Sequence, residues 1–329
     1  GTATLASDIY QIAGNATGLM TMAAGTGLTL GNTGSATAIL FPTTFITANI
    51  TLNSSSTVTY QSTAAQTISN APSSYGNLTA ATSGTKTLAG AVTVAGNLAI
   101  TGTATLASDI YQITGNATGL MTMAAGTGLT LGKTVDITAV LFPTSFITGN
   151  IALVVTSTVT YQTNGAQTVS FVPTYGNLTI ATAGIKTLDA GNLSVAGNLS
   201  VAAGTFDLGI TATTASVTGT AAIAGTLSFN GTSTKTVTIT GDLSGAGTID
   251  MSGGSLLHIL NLGGANNAIT TFTTAAVASE VNYNRAGAQQ VFSSANYRNL
   301  TASISGIKTL TGGVLTVNNN LAITGTATL

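Results

Sequence analysis

The chain has 329 residues, of which only 5% are charged, and its formal net charge at pH 7 is −1. This balance excludes electrostatic attraction to nucleic acid or anionic membrane as a driving force for binding. Hydrophobic residues make up 44% of the chain, which argues against intrinsic disorder. Thr, Gly, Asn or Ser interrupts every apolar run well before the length of a membrane-spanning helix. Cysteine is absent, which favours a bacterial extracellular protein over a disulfide-rich eukaryotic one.

The first 31 residues read GTATLASDIYQIAGNATGLMTMAAGTGLTLG and recur at 102–132 with one change, Ala13 to Thr114. The next phrase, FPTTFIT from Phe41, returns as FPTSFIT from Phe142, again 101 residues downstream. Such self-similarity at a fixed spacing is the signature of a repeat architecture. Near-identity of the copies also argues against a specialised active site in each one.

A third phrase, STVTYQSTAAQTIS from Ser56, returns at Ser157 and, in diverged form, at Ser279. We therefore predict three large repeats and the beginning of a fourth. Their boundaries are 1–101 for repeat 1, 102–203 for repeat 2, 204–324 for the divergent repeat 3 and 325–329 for the start of a further repeat. Because the chain starts and ends with GTATL, we expect it to be a segment of a longer array.

A finer pattern lies inside each large repeat. The stretch AVTVAGNLAITGTATLAS at 91–108 contains three short alternating segments, VTV, LAI and ATL, separated by AGN and TGT. Alternation with period two predicts strands, and Gly or Asn at the breaks predicts tight corners with left-handed backbone. Thr, Val, Ser, Asn and Gly are mediocre or poor helix formers, so helices are disfavoured. The GNL corners begin at Gly76, Gly96, Gly176, Gly191 and Gly197.

Two all-β architectures fit these strands. Tandem Ig-like β-sandwiches have units of about 100 residues, but their cores normally use larger residues than this chain provides. A parallel β-solenoid (β-helix) stacks short-strand coils around a narrow core that Val, Ile, Leu and Ala can fill. We predict the solenoid, with four or five coils of about 20 to 25 residues per large repeat and Thr on the outer positions.

Few residues could carry catalysis. His258 is the only histidine and lies between leucine and isoleucine in the divergent repeat, so we expect a structural role. Asp242 and Asp250 could supply calcium ligands, but they lack the repeated glycine-rich pattern of calcium-binding solenoids. GTGLTLG from Gly25 lacks the spacing and the following helix of a phosphate loop. We predict no catalytic, cofactor-binding or metal residues and no enzymatic activity.

Lysines recur at one repeat position in the phrase GxKTL, at Lys86, Lys186 and Lys308. They are interpreted as guards of the strand edges against uncontrolled pairing; an interchain or isopeptide crosslink is the alternative. No acidic residue recurs beside all three, as a crosslink would need.

Other recurring residues have structural interpretations. Asp8 and its copy Asp109 are expected at a turn or a strand edge. Tyr10, Tyr60 and Tyr75 are expected to pack at corners, the alternative being a ladder of rings that stacks on carbohydrate.

The phrases YGNLT, GTKTLAGAVTVAGNL, LFPTTF and TVTYQ resemble the repeats of large Bacteroidetes cell-surface and adhesin-like proteins of the type IX-secreted type. The GNL corners are more loosely similar to filamentous-haemagglutinin-type β-helices. The resemblance covers essentially the whole chain, rests on composition and phrase order, and implies export, surface display and a filamentous or adhesive role. It carries over no catalytic residues.

The sequence therefore predicts a non-enzymatic structural segment of a long extracellular filament, stalk or adhesin, located outside the cell or on its surface. Coil stacking would give it reach and stiffness. We expect it to self-associate end to end or to continue in the same long chain. A carbohydrate- or matrix-binding module that uses an exposed solenoid face is the alternative function. No cofactor, nucleic acid or membrane insertion is expected.

Overall fold

A computed structural model describes residues 2–42, 44–274, 279–293 and 296–329. Over these residues the chain is all-β, without an α-helix, and its coils stack as a parallel β-solenoid of about 15 turns. The predicted solenoid is confirmed. The Ig-like alternative is wrong, because sandwich sheets are antiparallel, whereas the strands here pair in parallel. The repeat start at Gly1 and the parts of repeat 3 at 275–278 and 294–295 lie outside the described residues.

Two compact units, Gly1–Thr163 and Asn164–Leu329, divide the chain and are taken in turn. The first unit contains two single turns of 3-10 helix, Thr47–Asn49 and Thr148–Asn150. Its strands are β1 Thr4–Ala6, β2 Met20–Met22, β3 Gly27–Leu30, β4 Ile50–Leu52, β5 Thr57–Tyr60, β6 Gln66–Ile68, β7 Asn77–Ala80, β8 Thr85–Leu88, β9 Val92–Thr93, β10 Leu98–Ile100, β11 Thr105–Ala107, β12 Ile113–Thr114, β13 Met121–Met123, β14 Gly128–Leu131, β15 Ile151–Leu153 and β16 Thr158–Tyr161.

The second unit contains one 3-10 turn, Gly253–Ser255. Its strands are β17 Gln167–Val169, β18 Asn177–Ile180, β19 Ile185–Leu188, β20 Leu193–Val195, β21 Leu199–Val201, β22 Thr205–Asp207, β23 Thr214–Val217, β24 Ala221–Ile223, β25 Thr226–Ser228, β26 Thr236–Ile239, β27 Leu243–Ser244, β28 Thr248–Met251, β29 His258–Leu262, β30 Thr271–Thr274, β31 Ser279–Tyr283, β32 Gln289–Val291, β33 Tyr297–Ala302, β34 Ser305–Leu310, β35 Val317–Ile323 and β36 Thr326–Thr328.

The strands follow the alternation in the sequence. In β5, Val58 and Tyr60 are buried while Thr57 and Thr59 remain partly exposed. Successive side chains of a strand face opposite sides, so a strand such as β5 contributes two apolar residues to the narrow core. The outward positions are occupied largely by Thr, which suits a pleated, half-exposed surface.

Strands of the first unit stack in separate ladders. One run of neighbours, the first face, is β1, β3, β5, β7, β10, β13 and β15; another, the second face, is β6, β8, β11, β14 and β16. Strands β9 and β12 pair with each other. In the second unit, β20, β23, β26, β29, β31, β33 and β35 form the longest run.

Coil length varies along repeat 1. Successive partners on the first face are Thr4, Gly27, Thr57 and Asn77, and then Leu78 pairs with Leu98, which gives coils of 23, 30, 20 and 20 residues. The 30-residue coil is longer than predicted because residues 32–42 and 44–49 leave the coil and lie along the corner at 11–18. Hydrogen bonds between the Gln11 side chain and the Leu40 backbone, 2.9 and 3.1 Å long, hold this excursion.

The large repeat does not contain a whole number of coils. The four coils take up 93 of the 101 residues, and the remaining eight carry the chain onward to the next side of the solenoid. Strands β1, β3 and β5 therefore lie on the first face, while their copies β11, β14 and β16 lie on the second face. Corresponding residues of repeats 1 and 2 thus point in different directions around the solenoid axis.

The GNL corners at Gly76 and Gly96 are confirmed, but neither glycine has the left-handed backbone that was predicted. A Cβ on Gly76 would lie 2.5 Å from the Ser56 carbonyl oxygen, and its φ is not in the left-handed range. Glycine is needed here because backbones of successive coils approach too closely for a side chain. The Asn that follows each glycine forms a hydrogen bond to the next coil. Asn77 Oδ1 accepts from the Asn97 N–H at 2.8 Å, and Asn97 Oδ1 accepts from the Leu120 N–H at 2.8 Å.

Candidate functional site

His258, the residue on which any histidine chemistry would depend, is fully buried at the start of β29. Its Nδ1 accepts the backbone N–H of Lys235 at 3.1 Å, so Nε2 carries the proton and donates to the Gly253 carbonyl at 2.8 Å. Its ring packs edge-on against Phe229. Burial lowers the pKa of the imidazole. A neutral ring with both nitrogens bonded to backbone is the arrangement expected of a structural histidine.

Asp8 and Asp109 lie at turns, as the sequence predicted. Their φ angles are 55° and 53°, in the left-handed region that Asp tolerates better than most residues. Asp8 bonds to the amide of Asn32, and Asp109 forms a salt bridge of 3.2 Å with Lys133, the residue that replaces Asn32 in the second copy. The two copies therefore fix the same turn with different partners.

The two calcium candidates are occupied by local hydrogen bonds. Asp242 Oδ1 accepts the backbone N–H of Asn266 at 3.0 Å, which lowers the pKa of that carboxyl group. Asp250 Oδ1 accepts from the Ser252 N–H at 3.0 Å and its hydroxyl at 2.6 Å. Within the described ranges no group of three or more His, Cys, Asp or Glu residues could hold a metal ion.

The GxKTL lysines are buried inside the solenoid, so their interpretation as edge guards is wrong. Lys86 Nζ donates to the Ser62 and Ala64 carbonyls at 2.5 and 2.8 Å. Lys186 bonds to the Gly165 and Ala183 carbonyls, and Lys308 bonds to those of Arg285 and Gly287. The alternation could have revealed this, because Lys86 lies two residues before the inward-facing Leu88 and therefore shares its side of the strand.

Each buried lysine of this series stacks on a buried glutamine, a pairing that sequence reasoning missed. The register pairs are Gln66 with Lys86, Gln167 with Lys186 and Gln289 with Lys308. Gln66 Nε2 donates to the Leu30 and Ile39 carbonyls, and its Oε1 accepts from the Ser62 N–H. The repeats thus carry polar side chains in the core to satisfy the backbone of their corners.

Paired tyrosines form a second interior network. The Tyr60 and Tyr75 hydroxyls lie 3.0 Å apart; Tyr60 accepts from the Ser69 N–H and Tyr75 donates to the Ser69 carbonyl. Tyr283 and Tyr297 pair in the same way at 2.7 Å. Packing of Tyr60 and Tyr75 is confirmed, and stacking on carbohydrate is wrong for these two buried rings. Tyr10 is 71% exposed.

Replacing Tyr75 by Phe should cost about 1–3 kcal/mol of unfolding free energy, because it leaves the Ser69 carbonyl without its hydroxyl donor inside the core. Urea unfolding followed by circular dichroism measures the loss. The Tyr10→Phe variant serves as the exposed control and should unfold at the native urea concentration. Equal midpoints for the two variants would contradict the buried network.

Burial also shifts the titration of these groups. It lowers the pKa of Lys86 from 10.5 to about 8 and raises that of Tyr60 from 10.0 to about 12. The pKa values of Lys186, Lys235 and Lys308 shift in the same direction as that of Lys86.

Stability should therefore rise between about pH 8 and pH 10 and fall above that range. In the first interval the unfolded chain holds lysine protons that the folded chain has released, so a higher pH favours folding. Above pH 10 the unfolded tyrosines lose protons that the folded ones keep, which reverses the sign. Thermal unfolding from pH 7 to pH 12 measures the profile. A steady decline from pH 7 upward would contradict the burial of the lysines.

The first coil of the first unit exposes an apolar end surface. It surrounds an open cavity of about 470 Å³ lined by residues that include Leu5, Leu19, Met20 and Phe45. Leu5 is 60% exposed, whereas its copy Leu106 on β11 is completely buried. The difference arises because β11 pairs with β8, a strand of the preceding coil. The interior copy thus shows what covers this surface when a coil precedes it.

No helix among the described residues is long and apolar enough to span a membrane. Comparison of the chain with protein-family models, with curated proteins and with solved structures finds no match.

Proposed function

We propose that the chain is a non-enzymatic structural segment of a long extracellular filament, stalk or adhesin of the bacterial cell surface. The observation that carries the proposal is the coil stacking: parallel ladders continue from coil to coil, and buried polar side chains are bonded to backbone. In a solenoid each coil packs only against its neighbours, so an added coil lengthens the protein without changing the rest of the core. His258 supports the non-enzymatic assignment, since both its ring nitrogens are bonded to backbone.

We extend the proposal to end-to-end association, with a second copy or within the same long chain, because the apolar end surface exposes large side chains such as Leu5. In the interior copy, Met121 pairs with Leu98 and Thr105 pairs with Thr85 of the preceding coil. Among the described residues, β1 lies at the edge of its ladder and pairs only with β3. An exposed strand edge beside apolar side chains favours pairing with another strand of matching register.

Concentration-dependent sedimentation of the purified chain, with electron microscopy of the same samples, tests end-to-end association. We expect elongated assemblies from the native chain and their loss in a Leu5→Asp variant, because stacking would bury this carboxylate as it buries the copy Leu106. Leu120→Asp is the matched control, since Leu120 is the exposed copy of Leu19 in the interior of the first unit. A native chain that stays monomeric at high concentration would show stacking between copies to be wrong.

A carbohydrate- or matrix-binding module is the second candidate, and a glycan array separates it from a scaffold. Saturable binding of a glycan would favour it. The burial of Tyr60 and Tyr75 removes two of the three rings on which that function was expected to depend, and Tyr10 alone stays exposed among the three.

A further inference from the structure

The second face of the first unit carries a regular array of threonines. Its outward positions form two columns in which each residue lies in register with its neighbours on the next strand. We call this set the threonine face. It consists of Thr67, Thr85, Thr87, Thr105, Ala107, Gly128, Thr130, Thr158 and Thr160. Every member is at least partly exposed.

The threonine face is a rigid, uncharged lattice. Neighbouring strands lie about 4.8 Å apart, and outward residues along one strand lie about 6.6 Å apart. Threonine is β-branched and stiff at χ1, so its hydroxyl and methyl groups hold fixed directions. The two exceptions, Ala107 and Gly128, are smaller than threonine and do not rise above the surface. The strands beneath are tied to one another by parallel ladders.

The chemistry of the face restricts its partner. Nucleic acids would require positive charge, which the face lacks. A protein hot spot would require anchors such as Trp, Tyr or Arg in a pocket, and sugar stacking would require an aromatic ring. Each threonine contributes little binding free energy alone. Appreciable affinity therefore requires a partner with a two-dimensional periodic surface that contacts many threonines at once.

We propose that the threonine face binds ice. A crystal of water is periodic, uncharged and able to donate to and accept from the threonine hydroxyls at many positions together. The methyl groups hold water between the hydroxyls, and the rigid backbone reduces the ordering cost of binding. This activity goes beyond the proposed filament role and does not depend on it.

The large repeat places copies of the same positions on a second side of the first unit. The first face carries the repeat-1 copies of the same positions, including Thr4, Gly27, Thr29, Thr57 and Thr59, and Thr79 continues one column. The same lattice is therefore presented on two adjacent sides of the first unit. A protein molecule with two such faces can bind a growing ice crystal through either of them.

The test is partition of the purified chain into a slowly growing ice front, together with the thermal hysteresis of its solution. We expect the native chain to enter ice and to separate the melting and freezing temperatures. A Thr87→Lys, Thr130→Lys variant should lower the ice-bound fraction by about tenfold or more, because two bulky charges break the many-point contact.

Thr238→Lys is the matched control, since Thr238 is also an outward strand residue but stacks between Ser216 and Asn261. It should retain native ice binding, and thermal unfolding verifies that all variants are folded. A native chain excluded from ice, or equal loss in both variants, would overturn the proposal. Binding to crystalline cellulose without binding to ice would also overturn it, in favour of a polysaccharide surface.

Discussion

Replacing Gly119 by Ala is expected to lower the unfolding free energy by about 3 kcal/mol, a large loss for a single methyl group. A Cβ at this position would overlap the Gly96 carbonyl oxygen of the preceding coil. Backbone cannot move aside as a flexible side chain can, so the stacking itself must yield. Chemical denaturation of the purified variant measures the effect.

Two other glycines are matched controls for Gly119. Gly149 occupies the corresponding corner one coil later, and a Cβ there would have no neighbour within 4 Å in the part of the chain that the structure describes. Its counterpart in repeat 1 is already Ala48. Gly18 is the repeat copy of Gly119, but a Cβ there would meet only side-chain atoms at 3.1 Å or more. We expect Gly149→Ala to be neutral and Gly18→Ala to cost less than Gly119→Ala. Equal effects at Gly18 and Gly119 would contradict the role of the preceding coil.

Truncating Lys86 to Ala should cost about 3 kcal/mol of unfolding free energy, although no described acidic residue bonds to its ammonium group. The change empties core volume and leaves the Ser62 and Ala64 carbonyls without their donor. Lys86→Met should cost less than half as much, because it keeps the stem and removes a buried charge.

The control is Lys133→Ala, which breaks the salt bridge to Asp109 at the surface. Exposed ion pairs contribute about 0–1 kcal/mol, so this variant should stay close to native stability. Unfolding curves for the three lysine variants at pH 7 give the comparison. A larger loss at Lys133 than at Lys86 would show that Lys86 is not held in the core.

The sequence was sufficient to predict the fold class because local signals agree with the global arrangement. Alternation gave the inward residues of strands such as β5, and the GNL phrases located corners such as Gly76. The close stacking behind those corners could not be predicted, since it depends on the backbone of a coil about 20 residues away.

The repeat length alone did not predict that copies of one strand lie on different faces of the solenoid. A 101-residue period is visible in the letters, but only the strand pairings show that eight residues remain after four coils. The burial of the lysines was not predicted, because a charged side chain is normally expected to face solvent. The alternation in β8 nevertheless places Lys86 on the same side of the strand as Leu88. Repetition alone also did not reveal the threonine face, which combines β6 and β8 of repeat 1 with β11, β14 and β16 of repeat 2.

The most direct test of the proposed coil stacking in a filament is the diffraction of electrons from the native material in vitreous ice. Stacked coils should give thin continuous fibres with a meridional reflection near 4.8 Å, the strand spacing along the stacking direction. Beads joined by linkers, with strands running along the fibre and the 4.8 Å reflection on the equator, would contradict it.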